Sequence, residues 1–181
     1  AGNTDLTPAS QSWTVDTTAP DTAITGGPSG TVNVATASFT FSSEVGAVFE
    51  CQLDGGGYSA CASPQNYASF ADGPHTFDVR AIDAVGNTDA TPASQSWTVD
   101  TTAPDTTITA GPSGMVNVAT ASFTFTSEVG ATFECQLDGG GYAVCMSPQN
   151  YASVADGPHT FMVRAKDAVG NTDATTASQT W

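Results

Sequence analysis

Short segments of alternating apolar and polar residues recur along the whole chain, separated by turns rich in Gly, Pro and Asp. The clearest are TASFTFS at 36–42, FECQL at 49–53, HTFDVRA at 75–81 and SQSWTV at 94–99. An apolar residue at every second position is typical of a β-strand with one buried face. Ile24 marks a further short strand, and no helical stripe of useful length is present. The pattern therefore predicts an all-β protein.

The sequence also repeats itself. Trp13, Trp97 and Trp181 are separated by one interval of 84 residues (97 − 13 and 181 − 97), and the sequences between them are nearly identical. Such self-similarity indicates a tandem array. We predict two repeats, a first repeat at residues 16–99 and a second repeat at residues 100–181, each with at least five and up to seven strands.

The two copies test which face of each strand is buried, because substitutions should collect on the solvent-exposed face. Among the differences between the copies, the following are out of phase with the proposed inward residues: Ser42/Thr126, Val48/Thr132, Asp78/Met162, Ile82/Lys166 and Ser96/Thr180. The inward residues return unchanged, and we predict that they form the core: Phe39, Phe41, Phe49, Leu53, Phe77, Val79 and Trp97, with Phe123, Phe125, Phe133, Leu137, Phe161, Val163 and Trp181. The phase of Trp97 with Val99 favours core packing over a sugar-stacking platform.

The four cysteines form one pair per repeat, Cys51 with Cys61 and Cys135 with Cys145. The turn-forming run DGGG at 54–57 lies near the midpoint of the first pair, so that a hairpin would bring its two thiols together. We predict a disulfide within each hairpin, which persists in an oxidising compartment and favours export. The alternatives are buried free thiols or a zinc site; zinc needs about four ligands, and the one His of each repeat falls in a different predicted turn.

The composition narrows the range of partners. Three Lys and Arg stand against eighteen Asp and Glu, and the formal net charge of −15 would repel nucleic acid. No stretch approaches the roughly 20 apolar residues that a membrane-spanning helix needs. Together with the paired cysteines, the acidic composition favours an extracellular or cell-surface protein.

Several short motifs resemble those of a known family. FECQLDGG, ADGPHTFDVRAIDAVGN and SWTVDTTAPD look like the bacterial immunoglobulin-like repeats that form long arrays in large secreted surface proteins and adhesins. The resemblance covers essentially the whole chain and implies tandem β-sandwiches of Ig-like or fibronectin-III-like kind. It brings no catalytic residue with it. Antibody-type domains bridge their two sheets with a disulfide, whereas here both cysteines of a repeat belong to one hairpin.

The resemblance also gives a role to the first residues of the chain. In such repeats SQSWTVD is the last strand of a domain, and DTTAPD leads into the first strand of the next. Residues 1–15 are therefore expected to be the closing strand of a preceding, truncated repeat of a longer protein. The alternative is that this strand is donated to a neighbouring chain that lacks one, as in strand-complemented fibres.

The same resemblance places the linker and two loops of each repeat at one pole of the sandwich, where acidic residues accumulate. Calcium takes about six to eight oxygen ligands, and calcium-stiffened junctions are known in adhesin repeats of this kind. The candidate calcium ligands of the second repeat are Asp100, Asp105, Glu128, Asp167, Asn171 and Asp173, with Asp72 approaching from the first repeat. Their equivalents one period earlier are Asp16, Asp21, Glu44, Asp83, Asn87 and Asp89. The alternative is that these residues form turns, since no EF-hand signature is present; Pro104 then gives the linker some stiffness.

No catalytic motif accompanies the histidines. His75 and His159 each lie in the turn ADGPHTF, and no motif places a Ser or Cys nucleophile beside them. The glycine run at 55–57 lacks the Lys and the helix of a phosphate-binding loop. We therefore predict that the protein is not an enzyme.

The function expected from these features is mechanical. The chain is predicted to be a structural stalk or spacer in a bacterial extracellular surface protein, with calcium as the one candidate cofactor. One alternative is a segment of a self-assembling extracellular filament; another is a glycan-binding module that uses exposed residues such as Tyr58 and Tyr67. The expected partners are neighbouring repeats, other copies in a filament, and surface ligands bound by domains outside this segment.

Overall fold

The computed structural model describes residues 1–181, and its regular structure is all β, as the sequence predicts. The first repeat has eight strands: β1 (Ala23–Gly26), β2 (Gly30–Val32), β3 (Thr36–Ser42), β4 (Val48–Leu53), β5 (Ser59–Cys61), β6 (Gln65–Ala68), β7 (Gly73–Ile82) and β8 (Ala93–Val99). The second repeat has seven: β9 (Thr107–Ala110), β10 (Thr120–Thr126), β11 (Thr132–Leu137), β12 (Ala143–Cys145), β13 (Gln149–Ala152), β14 (Thr160–Lys166) and β15 (Ala177–Thr180). No helix of a length and hydrophobicity suited to crossing a membrane occurs.

Each repeat is built from two sheets. In the first repeat their strand orders are β1-β3-β6 and β2-β8-β7-β4-β5, and in the second they are β9-β10-β13 and β12-β11-β14-β15. The pairings of the second repeat are antiparallel. The extra strand of the first repeat, β2, pairs in parallel with the end of β8, with Gly30 opposite Trp97 and Val32 opposite Val99. With this short strand the first repeat has one strand more than the seven predicted. The prediction missed it because its sequence, GTV, shows no alternation of apolar and polar residues.

The chain divides into two compact units whose limits differ from those of the repeats. Unit 1 comprises Ala1–Gly27, Ser38–Asn66 and Thr76–Gln95. Unit 2 comprises Pro28–Ala37, Tyr67–His75 and Ser96–Trp181. Unit 2 therefore contains the whole linker between the repeats, at residues 100–105, together with three pieces of the first repeat.

Aromatic side chains form the core of unit 1. The rings of Phe39 and Phe77 are stacked with their centroids 4.1 Å apart, and Phe41 meets the edge of Phe49 at 4.9 Å. Phe39, Phe77 and Val79 are completely buried. Because each of these residues lies on the apolar face of its strand, the two-residue period places them together.

Unit 2 repeats this packing. Phe123 and Phe161 are stacked at 4.0 Å, and Phe125 meets Phe133 at 4.9 Å. The differing positions assigned to the solvent-exposed face, from Ser42/Thr126 to Ser96/Thr180, include no buried residue, so that assignment is confirmed.

The predicted core is confirmed in part. The exceptions are only half-buried: Phe49, Leu53, Phe133, Leu137 and Trp181. The first four lie on β4 and β11, next to the three-residue strands β5 and β12. A facing sheet of three strands is too narrow to cover this side of a wider sheet completely.

A disulfide closes each predicted hairpin. Cys51 is bonded to Cys61 and Cys135 to Cys145, and no cysteine is free. In the second repeat the bond runs diagonally between β11 and β12, because Cys145 lies opposite Phe133 and Cys135 opposite Ala143. The disulfide prediction is confirmed in both repeats, and the zinc and free-thiol alternatives are wrong.

The first residues of the chain contain no strand. Leu6, Trp13 and Val15 are 91%, 79% and 73% exposed, whereas Trp97 and Val99, the equivalents of Trp13 and Val15 in β8, are 3% and 1% exposed. That residues 1–15 close a preceding repeat stays a prediction.

Glycine at position 111 is required by the packing of the core. A Cβ atom added there would lie 2.5 Å from Cδ1 of Phe123, which is closer than two carbon atoms can approach. A Cβ atom added to Gly141, in a hairpin turn, would have no atom within 4 Å. We therefore expect Gly111→Ala to lower the free energy of unfolding of the second repeat by about 1 to 3 kcal/mol through overpacking. In thermal denaturation the matched control Gly141→Ala should stay within about 1 kcal/mol of the unmodified protein, and equal stability of the two variants would contradict this packing.

Removing one disulfide should destabilise its own repeat. We expect Cys135→Ser combined with Cys145→Ser to cost the second repeat roughly 2 to 3 kcal/mol, because the unfolded chain regains the freedom of a short closed loop. Denaturant unfolding of the double variant and of the same change at Cys51 and Cys61 would measure the loss repeat by repeat. A reductant should produce no further loss in the repeat that already lacks its disulfide; a variant as stable as the unmodified protein would refute the expectation.

Candidate functional site at the linker between the repeats

An acidic side chain of the first repeat holds the start of the linker. One carboxylate oxygen of Asp72, Oδ1, accepts hydrogen bonds from the backbone N–H of Thr101 at 2.8 Å and from its hydroxyl at 2.7 Å. The other, Oδ2, accepts the hydroxyl proton of Thr102 at 2.5 Å. The hydroxyls of Thr102 and Thr101 and the N–H of Thr101 stabilise the ionised form, so the pKa of Asp72 lies below its usual value. Asp72 therefore acts as a clamp on two consecutive linker residues.

Asp100 connects the strands before the linker to the loop after it. Its N–H donates to the carbonyl of Val32 at 2.9 Å, which extends the parallel pairing of β2 and β8 by one more bond. Its own carbonyl accepts a hydrogen bond from the Asn171 side-chain amide at 2.8 Å. Asp100 Oδ1 in turn accepts the N–H of Thr102 at 3.2 Å. One residue is thus held by contacts on both sides of the linker.

The loop at 167–171 is organised around a buried carboxylate. Oδ1 of Asp167 accepts the backbone N–H groups of Val169, Gly170 and Asn171 at 2.9, 2.6 and 2.8 Å, and Oδ2 accepts the Asn171 side-chain amide at 2.7 Å. Burial acts to raise the pKa of Asp167, but these donors outweigh it, and the pKa lies below its usual value. The loop therefore presents Asn171 to the linker in a fixed orientation.

The end of the linker is held by the second repeat. Pro104 and Thr106 are buried. The carbonyl of Asp105 accepts the Ser127 hydroxyl at 2.6 Å, and the Thr106 hydroxyl oxygen accepts the N–H of Ala165 at 2.8 Å. Apart from Ala103, every residue from 100 to 106 has a hydrogen bond or a buried side chain.

The candidate calcium ligands act as hydrogen-bond acceptors in this arrangement. Asp173 Oδ1 accepts both the N–H and the hydroxyl of Thr175, and Glu128 forms a turn through its backbone carbonyl. No group of three or more Asp, Glu, His or Cys side chains is placed to hold a metal ion. A calcium ion bound by the predicted residues stays a prediction.

One carboxylate oxygen among the candidate calcium ligands, Oδ2 of Asp173, has no hydrogen-bond partner. Burial acts to raise the pKa of Asp173, but the nearby Thr106 hydroxyl and the donors of Thr175 outweigh it, and the pKa is lowered. Nevertheless Asp173 Oδ2 is buried and has no hydrogen-bond partner. Asp89 Oδ2 is in the same position in the first repeat.

Most of these contacts recur one period earlier. The Asn87 side-chain amide donates to the carbonyl of Asp16 at 3.1 Å, and the Ser43 hydroxyl donates to the carbonyl of Asp21 at 2.6 Å.

The loop at 167–171 also meets the first repeat directly. A Cβ atom built on Gly170 would lie 3.5 Å from Nδ2 of Asn33, whereas one built on Gly86, the equivalent residue, would have no atom within 4 Å. Val169 and Gly170 are half-buried, but Val85 and Gly86 are exposed. The sequence analysis did not predict a role for Asn33 or for the hydroxyls of Thr101 and Thr102. The repeated DTT sequence after each closing strand was the available signal for the two hydroxyls.

The remaining candidate residues are engaged in structural contacts. The ring of Tyr58 carries the Arg80 guanidinium 4.0 Å from its centroid, and Arg80 is paired with Glu50 at 2.7 Å. His159 Nδ1 lies 2.7 Å from the Asp138 carboxylate, which, with the carbonyl of Ala155, raises the pKa of the His159 ring. These contacts leave one face of Tyr58 covered and both ring nitrogens of His159 occupied.

Comparison with known proteins identifies the fold. No family model matches the chain, and no curated protein matches it. A structure of the fibronectin(III)-like modules of Clostridium thermocellum CbhA is similar, with a TM-score of 0.50 and 19% identity over 88% of this chain and 92% of that one. So is a structure of a 1.5-MDa bacterial ice-binding adhesin, studied for its retention on the host cell surface, with a TM-score of 0.50 and 13% identity over 91% of this chain and 65% of that one.

A third similar structure is a Ca²⁺-stabilised adhesin that helps an Antarctic bacterium to reach out and bind ice, with a TM-score of 0.49 and 19% identity over 91% of this chain. Our chain spans 65% and 49% of the two adhesin chains. At these identities the similarity shows the fold alone.

The protein is therefore a tandem of β-sandwiches of fibronectin-III-like and Ig-like kind, each repeat stapled by a hairpin disulfide. At the level of fold, the neighbours agree with the resemblance to bacterial Ig-like repeats.

Acid should release the clamp on the linker. The pKa of Asp72 is lower in the folded protein than in the unfolded chain. The contribution of its carboxylate to the stability of the folded protein is therefore fully present above the unfolded pKa of 3.8, and it is lost as the pH falls through the folded pKa. We expect the backbone amide resonance of Thr101, whose N–H donates to Asp72, to shift below about pH 4 in an NMR titration. In Asp72→Ala that shift should vanish, while Asp156→Ala, which changes the equivalent residue of the second repeat, should leave it unchanged. A titration of Thr101 that persists in Asp72→Ala would contradict the clamp.

Proposed function

We propose that the chain is a non-catalytic spacer segment of an adhesin-like extracellular surface protein, in which stapled β-sandwich repeats are joined by stiff linkers. The observation that carries the proposal is the hydrogen bonding of Asp100 and Asp72. Residues on both sides of the linker hold it through Val32, Asn171 and the two Thr residues. A spacer needs joints that resist bending, and a linker without free backbone rotation provides one.

The chemistry of the repeats supports an extracellular location. Two disulfides in 181 residues require an oxidising compartment to persist. The net charge of −15 keeps a long array soluble and its copies apart. Near-identical consecutive repeats are what a length-setting segment requires, since each copy adds the same increment. Domains outside this segment would then bind the surface ligands.

The contacts of the two histidines support a non-catalytic role. His159 is bonded to Asp138 and to the carbonyl of Ala155, and His75 Nε2 lies 2.9 Å from the carbonyl of Ala71. A general base needs a ring nitrogen within hydrogen-bonding distance of the proton it removes, and these contacts take up that position in the second repeat. A glycan-binding role gains no support from Tyr58, because Arg80 already covers one face of its ring.

Calcium at the linker is part of the proposal. The buried Oδ2 atom of Asp173 has a spare lone pair. Asn171, two residues earlier in the chain, bonds both the Asp167 carboxylate and the carbonyl of Asp100. Binding would require the Asp167 carboxylate to exchange some of its backbone donors for the ion. Isothermal titration with calcium should give heat that disappears in Asp173→Asn; the absence of heat in the unmodified protein would remove calcium from the proposal and leave the hydrogen-bonded linker.

Small-angle X-ray scattering tests the spacer directly. We expect the unmodified protein to give one well-defined distance distribution. We expect Asp72→Ala combined with Asn171→Ala to broaden it, because the linker then loses the side-chain hydrogen bonds that hold Thr101, Thr102 and the carbonyl of Asp100. The matched control is Asn87→Ala combined with Asp156→Ala, which removes the equivalent side chains away from the linker. A distribution of equal width for all three proteins would overturn the proposal.

A further inference from the structure

The ring of His159 lies between two hydrogen-bond acceptors. Nδ1 is 2.7 Å from Oδ2 of Asp138, and Nε2 is 2.7 Å from the carbonyl oxygen of Ala155. An ionised carboxylate and a backbone carbonyl can only accept hydrogen bonds, whereas a neutral imidazole has one N–H to donate. The imidazolium ion, with an N–H on each nitrogen, is therefore the one form of the ring that satisfies both acceptors.

The surroundings of the ring carry little charge. The His159 side chain is 11% exposed, and its ring is tilted by 34° against that of Trp181 with centroids 5.3 Å apart. Asp138 faces the ring from the turn after β11, and Asp156, in the same loop as Ala155, is exposed. The segment 114–119, which lies beside that loop, has no charged residue. Asp138 is therefore the charge that acts on the ring.

The two contacts connect two separate parts of the second repeat. Asp138 begins the hairpin turn between β11 and β12, and Ala155 lies in the loop at 153–158 between β13 and β14. This loop contains no regular structure, so its backbone carbonyls depend on side chains or water for partners. The doubly protonated ring of His159 therefore fixes the loop to the hairpin turn.

Loss of one proton to water leaves one of the two acceptors without a donor. A hydrogen bond to a carboxylate is stronger than one to a carbonyl, so the neutral ring keeps its N–H at Nδ1, towards Asp138. The lone pair of Nε2 then faces the Ala155 carbonyl oxygen, and the loop is released. Asp138 first, and the Ala155 carbonyl second, raise the pKa of His159, so this change occurs above the ordinary value of 6.5.

The same sequence surrounds the histidine of the first repeat. ADGPHTF occurs at 71–77 as well as at 155–161, and the turn DGGG occurs at 54–57 as well as at 138–141. Nε2 of His75 lies 2.9 Å from the carbonyl oxygen of Ala71, the equivalent of Ala155. The ring of His75 is 5.5 Å from that of Trp97 at an angle of 33°. The arrangement therefore belongs to the repeat and does not depend on its place in the chain.

In the first repeat this loop carries the clamp on the linker. The carbonyl that His75 contacts belongs to the residue directly before Asp72, whose carboxylate clamps the linker. Asp72 is the charged residue of the loop itself, Asp54 is the sequence equivalent of Asp138, and the segment 30–35 beside the loop is uncharged. A movement of the loop therefore moves the clamp carboxylate.

We propose that the histidine of each repeat is a pH-dependent latch, which fixes the ADGPHTF loop while its ring carries two protons and releases it when the ring loses one. In the first repeat, release of the loop loosens the hold of Asp72 on Thr101 and Thr102, and the linker becomes more mobile. Because the pKa of His159 is raised by folding, the stability that the latch contributes is fully present below the unfolded pKa of 6.5 and is lost as the pH rises through the folded pKa. The inference rests on the clamp on the linker and not on the spacer function.

NMR of the imidazole nitrogens tests the latch in the second repeat. At about pH 6 both nitrogens of His159 should have the ¹⁵N shifts of an imidazolium, and above the midpoint Nδ1 should keep its proton while Nε2 loses it. The ¹³C resonance of the Ala155 carbonyl should shift with the same midpoint. Asp138→Asn should lower the midpoint of His159 towards 6.5 and leave that of His75 unchanged. A midpoint of His159 at or below 6.5 in the unmodified protein, or an Ala155 carbonyl that does not follow it, overturns the latch.

Methyl relaxation tests the consequence for the linker. The hydroxyls of Thr101 and Thr102 are both bound by Asp72, so their methyl groups should be rigid at about pH 6 and should gain mobility as His75 loses its proton. In His75→Gln, which does not titrate in this range, their mobility should be the same at about pH 6 and about pH 9. Asp138→Asn is the matched control and should leave the pH dependence of these methyl groups unchanged.

Three results would overturn the effect of the latch on the linker. The first is methyl mobility in the unmodified protein that stays constant through the titration of His75. The second is a change of mobility with pH that persists in His75→Gln. The third is methyl groups that are mobile at every pH, which would contradict the clamp itself and the latch with it.

Discussion

The continuity of the closing strand with the linker is the constraint on which the junction depends. Strand β8 buries Trp97 and Val99 in the first repeat, and the next residue, Asp100, already belongs to the linker. Because no flexible residue separates them, the hydrogen bond from Asp100 to Val32 is fixed by the same pairing that buries Val99. The side-chain amide of Asn171, in the second repeat, then donates a hydrogen bond to the carbonyl of Asp100. The pairing that fixes the end of β8 in the core therefore also fixes the first residue of the linker.

Small polar residues form the hydrogen bonds that hold the linker. Asp, Asn and Thr each supply a donor or an acceptor close to the backbone, so a six-residue linker finds hydrogen-bond partners in both repeats. The disulfides act at a different place, on the β4–β5 and β11–β12 hairpins, where the facing sheet covers the core least. Each repeat is therefore stabilised by packing in its centre, by a covalent bond at one side and by hydrogen bonds at its pole.

The strands, the aromatic core and the disulfides could be predicted from the sequence because each depends on short-range spacing. Alternation in TASFTFS places Phe39 and Phe41 on one face, and a DGGG turn brings two cysteines together. The roles of Asp72 and Asp167 could not be predicted in the same way. A carboxylate can bind a metal ion or accept N–H groups, and only the fold decides which donors come within reach. Strand β2 was missed because its pairing with β8 connects residues far apart in the sequence.

Backbone dynamics of the linker test the central claim most directly. The ¹H–¹⁵N heteronuclear NOE should be as high for Thr101, Thr102 and Ala103 as for the strand residues of β8, because the contacts described above hold this segment in one conformation. Residues 3–6, which lie in no strand, provide the flexible reference in the same sample. Linker values as low as those of residues 3–6 would contradict the account, since a linker that moves freely on this timescale is not held by Asp72 and Asn171.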